Sequence, residues 1–379
     1  MSHERLQAEF ALLPRDLRNI EAARQFRHGP SVASIASSAS GTNRPFASAQ
    51  PRALAAWLFG VAALVFVMVV VGGITRLTES GLSIVRWDVV SGTLPPLNDT
   101  GWTAEFAAYQ SSSQYQLMNR GMSLSEFKGI YFWEYVHRLL GRLIGLAFAL
   151  PLAWFWIKGR IPAGYKPRLL ALLALGALQG TIGWWMVSSG LVGRTEVAHT
   201  RLAVHLTTAL IIMAGCIWTA LDLRAATRPV APVATRWHIL IPIFGALLTV
   251  QIIWGAFTAG LRAGHASNTW PQMAGALIPD GLSPSMTDWV SDPFTVHFIH
   301  RSLAVLVLGA AVLVVRQLWL AGAHGPARAL ALAVFAQFAL GVLTVLSGVA
   351  LPLGVAHQAC GALLVAATVW AAHNARYQS

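Results

Sequence analysis

Residues 54–74 read LAAWLFGVAALVFVMVVVGGI, without a single charged side chain. A run of this length and apolarity spans the hydrocarbon core of a bilayer as one helix. Seven further apolar runs follow at about 131–157, 169–190, 199–221, 238–260, 295–315, 328–348 and 355–373. Together they predict an all-α integral membrane protein with eight transmembrane helices.

Composition agrees. Of 379 residues 55% are hydrophobic and only 11% charged, where a soluble domain carries about 25% charged residues. The net charge of +12 does not point to nucleic acid, because the basic residues fall between the apolar runs, not along one stripe. With the N-terminus inside, most of the 27 lysines and arginines lie on the inner side, so both termini are expected in the cytosol. Residues 1–52 are polar and rich in Ser and Arg and are expected to be a disordered cytosolic tail. Glu4, Glu9, Asp16 and Glu21 argue against the alternative, a mitochondrial transit peptide and an inner-mitochondrial-membrane location, in favour of a bacterial inner (plasma) membrane. Cys216 and Cys360 lie inside apolar runs and form no metal-type motif.

The eight runs divide into two fours. Gln179-x-x-x-Gly183-x-x-x-Val187-x-Ser189-Gly190 recurs as Gln337-x-x-x-Gly341-x-x-x-Val345-x-Ser347-Gly348. Glu134-Tyr135-Val136-His137-Arg138 recurs as His297-Phe298-Ile299-His300-Arg301, and His205 as His357. Three motifs repeated in one order predict two pseudo-symmetric four-helix bundles, over 53–222 and 238–379, joined by a cytosolic linker at 223–237.

His137, His205, His300 and His357 all lie within the first turns after the chain re-enters from outside, hence at similar depth. Two imidazoles facing each other across a four-helix bundle supply both axial ligands of one haem. The competing assignment is a plain interhelical hydrogen bond. Zinc fits less well, since no carboxylate or thiolate cluster completes such a site. His297, one turn before His300, is a neighbour of the second haem or the alternative ligand on its helix; His199, His238 and His373 read as structural. Glu134 is an intramembrane carboxylate one turn from His137, a candidate for proton handling or an ion-pair partner of a nearby arginine. Arg76, Arg138, Arg201 and Arg301 lie at the outer ends of their helices, where they could pair with haem propionates or snorkel to lipid headgroups.

The stretch Gly72-Gly73-Ile74-Thr75-Arg76-Leu77-Thr78-Glu79-Ser80-Gly81-Leu82-Ser83 resembles the signature after the first helix of the haem A synthase family. Glu134–Arg138, Arg201–Leu206, Asn268-Thr269-Trp270-Pro271, His300-Arg301 and His357-Gln358 resemble its other motifs, so the resemblance covers about residues 54 to 373. It implies oxidation of the C8 methyl of haem O to a formyl group, by successive hydroxylations, to give haem A for cytochrome oxidase. It further implies substrate haem between His137 and His205 near the catalytic Glu134, and a haem b cofactor between His300 and His357. Haem O synthase would be a transient partner. Some relatives carry cysteine pairs in their outer loops; the first and third outer loops here have none, as in the cysteine-free alphaproteobacterial and mitochondrial branch. Two other functions compete: a dihaem b electron-transfer cytochrome linked to quinol, and a haem export or chaperone protein. The implied reaction also calls for an electron donor, and a homo-oligomer is a further assembly that the chain could form.

The charge bias makes a direct expectation. A reporter fused after Ser379 reads cytosolic and one inserted near Asn98 reads external; the reverse pattern would put the four histidines in the inner leaflet.

Overall fold

The computed structural model describes residues 49–87, 91–225 and 239–377. The expected tail up to residue 48, most of the expected 223–237 linker and His238 lie outside the described residues.

Eight of the described helices are long and apolar enough to cross a membrane. They are α1 (Pro51–Leu77), α4 (Leu124–Ile157), α5 (Lys166–Ser188), α6 (His199–Ala225), α7 (Leu240–Gly260), α8 (Pro293–Leu320), α9 (His324–Leu346) and α10 (Leu351–Tyr377). Two short helices, α2 (Asp99–Gln110) and α3 (Ser113–Leu117), sit in the connection between α1 and α4, on the side that the charge bias predicts to be outer (hereafter the outer side). No strand occurs among the described residues. In lipid each backbone polar group must be satisfied within its own segment, and helices do this.

Local signals fix the ends. Proline stands in the first turn of α1, α5 and α8, where its missing N–H costs nothing. Asp292 caps α8 by accepting from the Thr295 amide at 2.8 Å. The apolar run predicts a start for α4 near 131, but the helix begins at Leu124, behind a capping box in which Ser123 and Glu126 bond reciprocally. Its 34 residues reach about 50 Å at 1.5 Å per residue, well beyond a hydrocarbon core of about 30 Å. The extra turns carry Phe127 and Tyr131 up into the outer layer. There they pack with Tyr109 and Ile84 in a separate cluster. Tyr109 donates to Gln114 at 3.0 Å, Asn119 donates to Tyr109 at 2.7 Å, and Gln114 donates to the Glu79 carbonyl at 3.1 Å. Burial pushes the Tyr109 hydroxyl above its ordinary pKa, so this layer stays uncharged over the working pH range.

α1, α4, α5 and α6 each pack on the next, and α6 closes back on α1; α7, α8, α9 and α10 close a second ring in the same order. The two rings meet through α1 on α10, α6 on α7, and α6 on α10. An internal two-fold would exchange the first two contacts and map the third onto itself. Side chains at the interfaces are often small. Ala220, Ala311 and Ala327 are fully buried, and Gly215 lies so close to Leu172 that a Cβ there would fall 2.7 Å from its methyl. Close backbone approach of this kind holds helices together where lipid is as apolar as leucine. Large apolar side chains such as Phe335, Leu332 and Leu306 face outward. At the inner end, Asp222 of α6 is buried and bonds to Arg168 of α5 and, at 3.1 Å, to His373 of α10, so His373 ties one ring to the other.

Candidate haem sites

The ligand candidates lie on diagonal helices of each ring: His137 on α4 with His205 on α6, and His300 on α8 with His357 on α10. In the second ring the imidazoles of His300 and His357 face each other with centroids 6.5 Å apart and planes at 90°. Imidazole–metal bonds are about 2.0–2.1 Å long, so two rings on opposite sides of one metal stand a little over about 6 Å apart. The gap therefore fits a single metal. Among the described residues no group of three His, Cys, Asp or Glu could hold a metal ion. A two-histidine site suits a metal that brings its own equatorial donors, as haem iron does. His300, not its neighbour His297, is the residue opposed to His357; His297 is fully buried one turn away. In the first ring His137 lies within electrostatic reach of His205.

Each of the four imidazoles lies against a glycine of the preceding helix. A Cβ added to Gly72 would stand 3.3 Å from His137, to Gly183 3.1 Å from His205, to Gly255 3.0 Å from His300, and to Gly341 3.0 Å from His357. The repeat marked Gly183 and Gly341 without showing their use. Gly72 sits in the signature after the first helix, and Gly255 carried no sequence signal of its own. All four are missing side chains that make room for a ring.

Glu134 is 3% exposed and completely engaged. Arg138 donates to its Oε1 through Nε at 3.0 Å and Nη2 at 2.6 Å. The Ser83 hydroxyl at 2.7 Å and the Ile84 amide at 2.8 Å donate to its Oε2. The carboxylate thus fastens the end of the signature segment over the helix that carries His137.

The arginines also have protein partners. Arg138 donates to the Ile84 and Arg86 carbonyls at 2.7 and 2.8 Å and lies over the Trp87 ring. Its repeat counterpart Arg301 donates to the carbonyls of Thr269, Pro271 and Gln272 at 2.9, 3.1 and 3.2 Å and lies over Trp270. Both clamp an outer loop by its backbone and a tryptophan. Arg301 still has Nη1 buried without a protein partner, a donor left for an anion. Arg201 donates to the Trp185 carbonyl at 2.6 Å and stacks on that ring. Arg76 pairs with Glu196 at 2.8 Å and with the Ala259 carbonyl at 2.8 Å. Arg262 bonds Glu196 as well and pairs with Glu79 at 2.7 Å. Sequence reasoning missed Glu79, Glu196 and Arg262, which lie far apart in the chain. Their network binds the outer end of α1 to the outer end of α7. His199, read as structural, packs edge-on to Phe257 and directly on Gly260.

Residues 55–369 match the family model for the cytochrome oxidase assembly protein. The chain belongs to this family. It is 52% identical over 347 residues to a protein of Novosphingobium aromaticivorans named heme A synthase, covering 87% of this chain and 97% of that one. It is 50% identical over 329 residues to the heme A synthase of Sphingopyxis alaskensis (86% and 92% covered) and 50% over 333 residues to that of Erythrobacter litoralis (85% and 96%). All lie in bacteria, and the family region spans all eight membrane helices.

The cradles make a testable expectation. Gly341→Val crowds the His357 ring, and if that ring holds a haem, haem retained per mole of purified protein should fall about tenfold or more, the loss typical of a disturbed ligand setting. Gly309→Val, at a glycine with nothing within 4 Å, should leave haem content unchanged. Equal haem content in the two variants would show that the cradle does not set the ring.

Proposed function

We propose that this chain is a haem A synthase, converting the C8 methyl of haem O into the formyl group of haem A. The carbon would be hydroxylated twice. Each step would insert one oxygen atom of dioxygen, while two electrons from a donor outside the chain and two protons reduce the other atom to water. The resulting gem-diol loses water to give the aldehyde. The observation that carries the reading is the pair of repeat-related histidine pairs in a family whose relatives are named for this reaction, with one difference between the halves. The first half has a buried carboxylate, Glu134, one turn from its histidine, where the second half has His297.

In this reading His137 and His205 hold the substrate haem, and His300 and His357 hold haem b, which supplies electron-transfer chemistry when bound. The chain's own contribution is placement and protection. The glycine cradles set the ring positions. The aromatic layer of Tyr109, Phe127 and Tyr131 and the loops clamped by Arg138 and Arg301 shield the outer face from water. Glu134 holds the signature segment and, in this reading, takes up or delivers a proton near the haem edge. Arg76 and Arg301, each with one buried donor that has no protein partner, are the stronger candidates among the four arginines for propionate partners. The protein is read as lying in the bacterial plasma membrane with both termini cytosolic, and haem O synthase as the source of its substrate.

The test is mass analysis of haem extracted from protein purified with and without co-expressed haem O synthase. Wild type should yield haem b alone without the partner enzyme, and haem A or hydroxylated haem O in addition with it. Glu134→Gln should keep both haems, because shape and one accepting oxygen remain. Its haem A yield should fall about a hundredfold, as for loss of an acid–base group. Haem b alone under all conditions would instead indicate an electron-transfer cytochrome. Near-normal haem A from Glu134→Gln would reduce that residue to an anchor for the loop.

A further inference from the structure

The turn of α1 that cradles His137 is gripped from both sides. Toward α4, the Met68 methyl packs against Gly141 and Gly72 lies against His137. The Thr75 hydroxyl lies 3.3 Å from the Trp133 carbonyl. Toward α10, the Gln358 side chain occupies the space left open at Gly73, where a Cβ would stand 3.0 Å from its Cδ and Oε1. Its amide nitrogen donates to the Val69 carbonyl at 2.7 Å. The amide has one workable orientation there, because turning it would set its oxygen against the carbonyl oxygen. One turn further along the same crossing, Leu77 of α1 lies against Gly354 of α10. Gln358 directly follows His357 in the chain, and Gly73 directly follows Gly72. The neighbour of a second-ring ligand candidate thus closes on the backbone next to the cradle of a first-ring one.

The crossing related by the repeat is built differently. There the residue after His205 is Leu206, and the residue after the cradle glycine Gly255 is Ala256. Leu206 packs on an apolar cluster that includes Ala203, Ala256 and Phe257. The histidines differ as well. His205, His300 and His357 present Cε1 to their glycines, whereas His137 presents its Nε2–Cδ2 edge to Gly72. The cradle braced by a polar side chain from the other ring is therefore also the one against which a ring nitrogen lies.

Between helices in lipid, position is set by close packing and interhelical hydrogen bonds, since lipid is as apolar as the side chains. Gly72 and Gly73 share one planar peptide unit, so a shift of one carries the other with it. We propose that Gln358 is a positioning residue for His137. It bonds Val69 and fills the gap at Gly73, and so fixes the α1 turn whose Gly72 sets the His137 ring. This rests on the reading that His137 and His205 hold the substrate haem. The first ring's site is then complete only when the second ring is docked on it, and the half that holds haem b sets the geometry of the half that reacts.

The test uses full-length protein purified in detergent after co-expression with haem O synthase. It follows transfer of haem to excess apomyoglobin, with haem b and the haem O type (haem O and its oxidised products) told apart by mass. The low-spin ferric electron paramagnetic resonance signals are recorded alongside. Gln358→Leu removes the amide, and Gly73→Ala puts a methyl where the amide lies. Each should speed loss of the haem O type about tenfold, the loss typical of a disturbed ligand setting, and should shift the first-ring signal. The double variant should lose it no faster than the singles, because both break one contact. The inference is overturned if either single variant releases the haem O type at the wild-type rate, if only the rate and signal of haem b change, or if the two effects add. Should Gln358→Leu fail to fold, Gly73→Ala, on a different helix from His357, decides by the same rate and signal. A His137→Ala control separates the two levels. If it too releases the haem O type at the wild-type rate, the two-site reading fails, whereas rapid loss there with no effect of Gln358→Leu or Gly73→Ala sinks only this inference.

Discussion

An imidazole inside a bundle of bilayer-spanning helices needs space beside a neighbouring backbone, and the proposed haem sites depend on that space. The space comes from glycine. At four crossings a helix gives up its side chain, and the imidazole of the next membrane helix lies only 3.0–3.3 Å from where a Cβ would be. Helices can approach so closely only because lipid denies the backbone any other conformation and because small residues line the crossings. The rings are closed by ordinary apolar packing, and these four contacts bring each imidazole against a neighbouring backbone.

The outer layer obeys the same logic one step further out. Arg138 and Arg301 occupy equivalent places and act alike, each binding loop carbonyls and stacking on a tryptophan. The halves then diverge where Arg138 finds Glu134 and Arg301 finds no carboxylate. In the proposed function, this difference, Glu134 where the other half has His297, would separate a pocket that reacts from one that serves it.

Much of this was legible in the residues. Apolar runs of bilayer length gave the eight spans, because hydropathy integrates over a whole helix. The repeat gave the ring pairing, because helix order is kept when a unit is duplicated. The four histidines stood out, since an intramembrane imidazole is rare and these fell at matching depths. The start of α4 was missed because it is set by a capping box, Ser123 with Glu126, and because Ser125, Glu126 and Lys128 break up the apolar run there. The arginines were read toward an anion because a guanidinium advertises carboxylates and phosphates. Their actual partners here are mainly backbone carbonyls, which no residue type encodes. Glu79, Glu196 and Arg262 could be joined only by the fold.

The central claim is that each ring holds its own haem between its own two histidines. The most direct measurement is haem identity and stoichiometry, by mass, in His357→Ala purified after co-expression with haem O synthase. The account expects haem b to be lost while haem O stays bound in the first ring, with no haem A formed. Loss of all haem from a folded His357→Ala protein, or retention of haem b at wild-type stoichiometry, would contradict it.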